Sequence, residues 1–159
     1  EQGRWVPAFS IVGLIATLAG LHMIFTWPLP GAYNSAYGES SVLLGSLFLG
    51  AALAFRHRWN LVPLAIYAFF AGLAAVVLGA RFIHLQMTPS PMLPGIGFIL
   101  TGTAGIFALP TICLTRIRAL RWIGALVLIV AAGIWAFTGY HGLWGHMESF
   151  SKWTPVTMR

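Results

Sequence analysis

Five long apolar stretches separated by short polar breaks limit what this chain can fold into. A helix needs about 20 mostly apolar residues to cross the hydrocarbon core of a bilayer. Trp5–Thr26, Ser40–Phe55, Leu61–Ile83, Pro94–Leu114 and Trp122–Tyr140 meet that requirement. The second is the shortest, and its polar ends would have to reach the interface. A soluble domain carries about 25% charged residues, whereas this chain has 8%. A β-barrel would show short alternating segments, and these runs are too long and too evenly apolar. The expected fold is all-α: a polytopic integral membrane helical bundle of about five transmembrane helices, forming a single domain over residues 1–159.

The breaks between spans are readable. Arg56–Asn60 and Thr115–Arg121 are tight basic turns, and His84–Pro91 is a proline-rich loop without acid or lysine. Pro63 and Pro94 fall in first helical turns, where a missing N–H is harmless. Pro110 lies inside the fourth span and is expected to kink it. Arginine placement sets the orientation: Arg4, Arg56, Arg58, Arg116, Arg118 and Arg121 share one side, against Arg81, Lys152 and Arg159 on the other. The positive-inside rule puts the first group in the cytoplasm of a multi-pass cell-membrane protein. The Trp27–Glu39 loop, the His84–Pro91 loop and the C-terminus then face outward.

Glu1 is not a start methionine, so the natural N-terminus is expected to be processed or to extend further, and an additional N-terminal span is one possibility. Trp5–Phe25 does not read as a signal peptide, because its apolar run is too long and no small-residue cleavage pattern follows. Cys113 is the only cysteine, which excludes an intrachain disulfide or thiol pair. The net charge of +6 does not indicate nucleic acid, since the arginines sit in short clusters between apolar spans.

Small residues recur at helical spacing: Gly13 with Gly20, Ser46 with Gly50, Ala71 with Ala75 and Gly79, Thr101 with Gly105. Such positions let helices approach closely in lipid, within one bundle or between subunits. Trp5, Trp27, Trp59, Trp122, Tyr140 and Trp144 fall near span ends, as an interfacial aromatic belt does.

The polar groups gather on the outward side. His22 lies near the outer end of the first span, and Glu39 opens the second. Arg81 and His84 close the third, and His141, His146 and Glu148 follow the fifth. Residues from several helices at one depth are how bundles hold metals, haem or quinones. His22, Glu39, Arg81, His84 and His141 therefore form the candidate cofactor-binding set, with His22, His84, His141 and His146 as candidate metal ligands. An Arg81–Glu39 ion pair would satisfy the two opposite charges nearest the outer span ends.

Plainer readings stand beside these. His22 can bond a neighbouring carbonyl, and Arg81 can snorkel to the interface. Glu39 at a helix N-terminus gains from the helix dipole. His141 and His146 are five apart and do not share a helical face, so a chelate requires the helix to end between them. Having no cofactor is the default expectation.

No Walker loop, dinucleotide fingerprint, HExxH motif or nucleophile elbow is present. The chain has no aspartate, so paired-carboxylate chemistry would have to use Glu39 with Glu148. No span carries a polar stripe suited to a pore, and no pair of interrupted helices marks a transporter site.

Trp27, Pro28, Pro30, Gly31, Tyr33 and Asn34, followed by Tyr37, Gly38, Glu39 and Gly45, form a pattern with a family likeness. The chain resembles the prokaryotic membrane proteins catalogued as domain of unknown function 981. Gly20 and His22 upstream, and Gly72, Gly79, Arg81, Pro94 and Gly102 downstream, fit the same pattern. The resemblance implies a multi-helix membrane protein and carries no assigned activity. The leading functional expectation is an accessory, non-catalytic subunit of a respiratory or other membrane oxidoreductase complex, with other integral membrane subunits and lipids as partners. The alternative is a protein bearing a metal, haem or quinone at the outward cluster, and the third is a small-molecule transporter.

Overall fold

The computed structural model describes residues 2–154, which contain five helices long and apolar enough to cross a membrane and, among the described residues, no strand. These are α1 (Val6–Thr26), α2 (Ser40–His57), α3 (Val62–His84), α4 (Met92–Cys113) and α5 (Arg118–Ser149). A 3-10 turn at Gln2–Trp5 leads into α1. Helix starts use prolines where their missing N–H is harmless: Pro7 in α1 and Pro63 in α3. Two helices stop by turning left-handed, α1 at Trp27 (φ 50°) and α2 at Arg58 (φ 55°). Pro110 lies one turn from the end of α4 and the helix continues past it to Cys113.

Two boundaries differ from the sequence expectation. The Trp27–Glu39 segment is not a loop throughout, because Asn34–Glu39 forms a π-helical stretch that runs directly into α2. The second span therefore covers Asn34–His57, 24 residues, which removes the shortfall of the 40–55 stretch. Glu39 consequently sits inside a continuous helix, with φ −63° and ψ −43°, and gains nothing from a free N-terminus. The second difference is α5, which continues beyond Tyr140 to Ser149. At 1.5 Å per residue its 32 residues measure about 48 Å, against a hydrocarbon core of about 30 Å.

The helices pair as antiparallel hairpins, α1 with α2 and α3 with α4; α2 also touches α3, and α5 packs on α4. Each hairpin closes on a glycine seam. A Cβ on Gly13 would meet the Gly45 carbonyl oxygen at 2.9 Å, and one on Gly20 would meet that of Gly38 at 2.7 Å. In the second hairpin a Cβ on Gly72 would lie 2.5 Å from the Gly102 oxygen, and one on Gly79 would lie 2.6 Å from that of Gly95. In all four helices the seam glycines are seven residues apart, which returns them to nearly the same face. The two hairpins are thus an internal repeat in geometry. Their connecting segments, residues 27–33 and 85–91, lie at one end of the bundle, the loop end. The basic turns lie at the other, the arginine end.

Candidate functional site

At the loop end the two hairpins are joined by aromatic rings. Phe82 of α3, with no solvent exposure, and Phe98 of α4 pack with Ala36 as a buried cluster. Tyr33 and Tyr37 reach Phe82 edge-on from the first hairpin, with ring centroids at 6.3 Å and 5.8 Å. Trp135 of α5 meets Phe98 edge-on at 4.9 Å and donates its indole N–H to Thr101 Oγ1 at 2.9 Å. Edge-to-face pairs add about 0.5–1.5 kcal/mol beyond area burial, so this nest ties three helices and the π-helical stretch together where the seams end.

The segment that delivers Tyr33 and Tyr37 is held by Asn34, the one polar side chain among the described residues that is buried with 0% exposure. Its Oδ1 accepts from the Leu29 N–H at 3.0 Å, and its Nδ2 donates to the carbonyls of Leu29 and Gly31. One amide thereby satisfies three backbone groups of a turn that has no helix to satisfy them. Residues 29–34 are folded back onto themselves, and the chain enters the helix at a defined angle. Gly38 then permits the approach of Gly20.

The polar residues singled out from the sequence share this end but point elsewhere. His22 and Arg81 each follow a seam glycine, Gly20 and Gly79, by two positions. At about 100° per residue they stand roughly 200° around their helices from the seams. His22, Glu39, Arg81, His84, His141 and His146 are all exposed. Among the described residues no salt bridge joins Glu39 to Arg81, and no three His, Cys, Asp or Glu side chains assemble as metal ligands. α5 does not end between His141 and His146, so the condition for their chelate is not met; His141 instead stacks on Phe137, with centroids at 5.9 Å. A groove of about 480 Å³, lined by Gln86, Met87, Thr88, Pro89 and Pro91, opens on the second loop.

The two structural anchors of this region, Asn34 and Trp135, were visible in the sequence only as a loop residue and as one of several tryptophans. Unlike the belt tryptophans, Trp135 sits mid-span, and that position is the signal that separates it from them. The family model described as "Protein of unknown function (DUF981)" matches residues 1–149. The chain belongs to the DUF981 family. The match spans both hairpins and all of α5, so it takes in the repeat and the helix packed on it. No curated protein matches this DUF981 chain, and no solved structure does.

Proposed function

We propose that this DUF981 protein is a non-catalytic helical subunit that docks on another integral membrane protein through α5. The observation that carries the reading is a second small-residue seam with nothing on it. Ala125, Ala132 and Gly139 follow one another at the seven-residue spacing of the two internal seams, and all three are exposed. A Cβ placed on Gly139 meets open space within 4 Å. The stripe lies about 100° around α5 from Ala131, the buried residue that faces α4. The seven-residue glycine pairs of the two hairpins, by contrast, are each closed by a partner helix. Close approach over small residues is also the main way helices associate in lipid.

In this reading the arginine end faces the cytoplasm by the positive-inside rule, and the surplus length of α5 projects outward. His22, Glu39, Arg81, His84 and His141 are then groups offered to a partner or to headgroups, not a self-contained site. The proposed assembly is a membrane complex, and a respiratory or other oxidoreductase complex is the narrower class. The test is purification from native membranes in mild detergent, with native gel analysis and identification of co-purifying subunits, for the wild type and for Ala132→Leu/Gly139→Leu. The expected result is a larger assembly that the double substitution dissolves while the chain stays helical. A wild-type chain that migrates alone, or an assembly indifferent to the substitutions, overturns the reading. Redox subunits among the partners would decide the narrower class.

A further inference from the structure

At the arginine end the two hairpins meet over a short stretch, where Gly50 of α2 faces Leu64 of α3. A groove of about 720 Å³ runs between α2 and α3, lined by Leu53, Ala54, Trp59, Pro63, Leu64 and Tyr67 among others. Small-molecule sites typically span about 300–1,000 Å³. Tyr67 bounds the groove toward the membrane interior, where its hydroxyl donates to the Leu43 carbonyl at 3.1 Å and ties α3 to α2. At the mouth lies the turn Arg56–Asn60, held in place by the Ala54 carbonyl, which accepts the N–H groups of both Arg58 and Trp59. His57 stacks on Trp59 with centroids 5.0 Å apart. Asn60 Oδ1 accepts from the Val62 N–H at 2.9 Å and fixes the start of α3. Arg56 and Arg58 belong to this turn and are exposed, without lining the groove itself.

The site is thus a largely apolar slot beside a turn that carries two exposed arginines and no carboxylate. We propose that the groove binds one anionic phospholipid, with an acyl chain between Leu53 and Leu64 and the phosphate against Arg56 and Arg58. Charge complementarity selects this occupant. A zwitterionic lipid would gain little from the paired arginines, and an apolar protein segment would leave them unused. Guanidinium groups suit phosphate because their N–H fork matches its oxygens, and basic pockets between transmembrane helices are suited to such headgroups. The proposal is independent of α5 and of any partner subunit.

The test is native mass spectrometry of the protein released from nanodiscs of equimolar phosphatidylcholine and phosphatidylglycerol. The wild type is expected to retain one phosphatidylglycerol, preferred over phosphatidylcholine by about thirtyfold from two interfacial arginines. Arg56→Gln/Arg58→Gln should abolish the preference. Leu53→Trp, at a residue that is 51% exposed and whose replacement fills the slot, should abolish retention. Arg116→Gln/Arg118→Gln removes the same charge from the other basic turn and should change neither. Equal retention of the two lipids by the wild type overturns the proposal without reference to any variant. Retention that survives Leu53→Trp, or that falls equally with the Arg116/Arg118 pair, means adsorption to a basic surface and overturns it as well.

Discussion

In the first hairpin Gly13 and Gly20 face Gly45 and Gly38; in the second, Gly72 and Gly79 face Gly102 and Gly95. The seams correspond, yet the hairpins are finished differently. The first leaves a seam polar group unpartnered, Thr17 Oγ1, beside Gly45. It closes its loop through the buried amide of Asn34 and a π-helical turn. The second makes the more extensive helix contact, carries α5, and has a proline-rich loop with Thr88 Oγ1 buried and unpartnered. The difference shows a division of labour between backbone and side chains. Glycine contact builds each pair, while aromatic rings and one amide fix how the pairs meet at the loop end. At the arginine end Trp59 and Tyr67 border a groove without filling it.

The sharpest way to break the comparison is to wedge the seams. A Cβ on Gly72 meets only backbone, the Gly102 oxygen at 2.5 Å and the Ile106 nitrogen at 2.9 Å, and neither can swing away. On Gly20 one of the contacts is a side chain, Val42 Cγ2 at 2.8 Å, which has some freedom to move. Overpacking a tight contact usually costs about 1–3 kcal/mol and occasionally more. Gly72→Val is expected at or above about 3 kcal/mol, Gly20→Val near about 2 kcal/mol, and Gly133→Val, which points into open space, within about 0.5 kcal/mol of wild type. Unfolding in mixed micelles of rising SDS fraction, followed by far-UV circular dichroism, orders the three. A Gly72→Val protein as stable as wild type would mean that the seams are not what holds the hairpins.

The loops give a contrast of opposite sign. Asn34→Ala strips three side-chain hydrogen bonds from a part-buried turn, although the Gly31 carbonyl keeps the Asn34 N–H. Each unsatisfied buried group costs about 1–3 kcal/mol, and partial rehydration near the interface should hold the total to about 2–3 kcal/mol. Thr88→Val removes a buried hydroxyl that has no protein partner, so it should be neutral or slightly stabilising. The same SDS titration reads both. A destabilising Thr88→Val would show that its hydroxyl is bonded after all and that the two loops are built more alike.

The five helices could be read from the apolar runs, and their ends from Pro63, Pro94 and the basic turns, because in lipid a backbone with no water to bond must be helical. The entry to α2 could not. Asn34, Ser35, Tyr37, Gly38 and Glu39 have turn-forming or polar character, and only the fold-back of Asn34 onto Leu29 makes helix the better outcome. The extension of α5 was hidden for a related reason: His141, His146 and Glu148 end the apolar run without ending the helix. Of the seam pairs only Gly13–Gly20 stood out by spacing; Gly38–Gly45, Gly72–Gly79 and Gly95–Gly102 did not, because which glycines face one another depends on where the intervening loop turns. The polar residues share a depth but differ in azimuth. Topology places residues at a common depth, whereas the two-residue step from Gly20 to His22, or from Gly79 to Arg81, turns the side chain away from the seam.

The smallest effect concerns how α5 joins the second hairpin, the feature that most separates it from the first. Trp135 contributes both an edge contact with Phe98 and a hydrogen bond to Thr101, and a double-mutant cycle of Trp135→Phe with Thr101→Ala isolates the bond. Interhelical hydrogen bonds in membranes average about 0.6 kcal/mol and reach about 1.7 kcal/mol. A coupling of about 0.6–1 kcal/mol is therefore expected here, read from the same SDS midpoints. Trp135→Phe alone should cost little more, since phenylalanine keeps part of the edge contact. If the coupling is zero, α5 is held to α4 by packing alone, at Ala131, Ile134 and the Trp135 ring. The direction of the exposed Ala125–Ala132–Gly139 stripe would then rest on shape and not on a hydrogen bond.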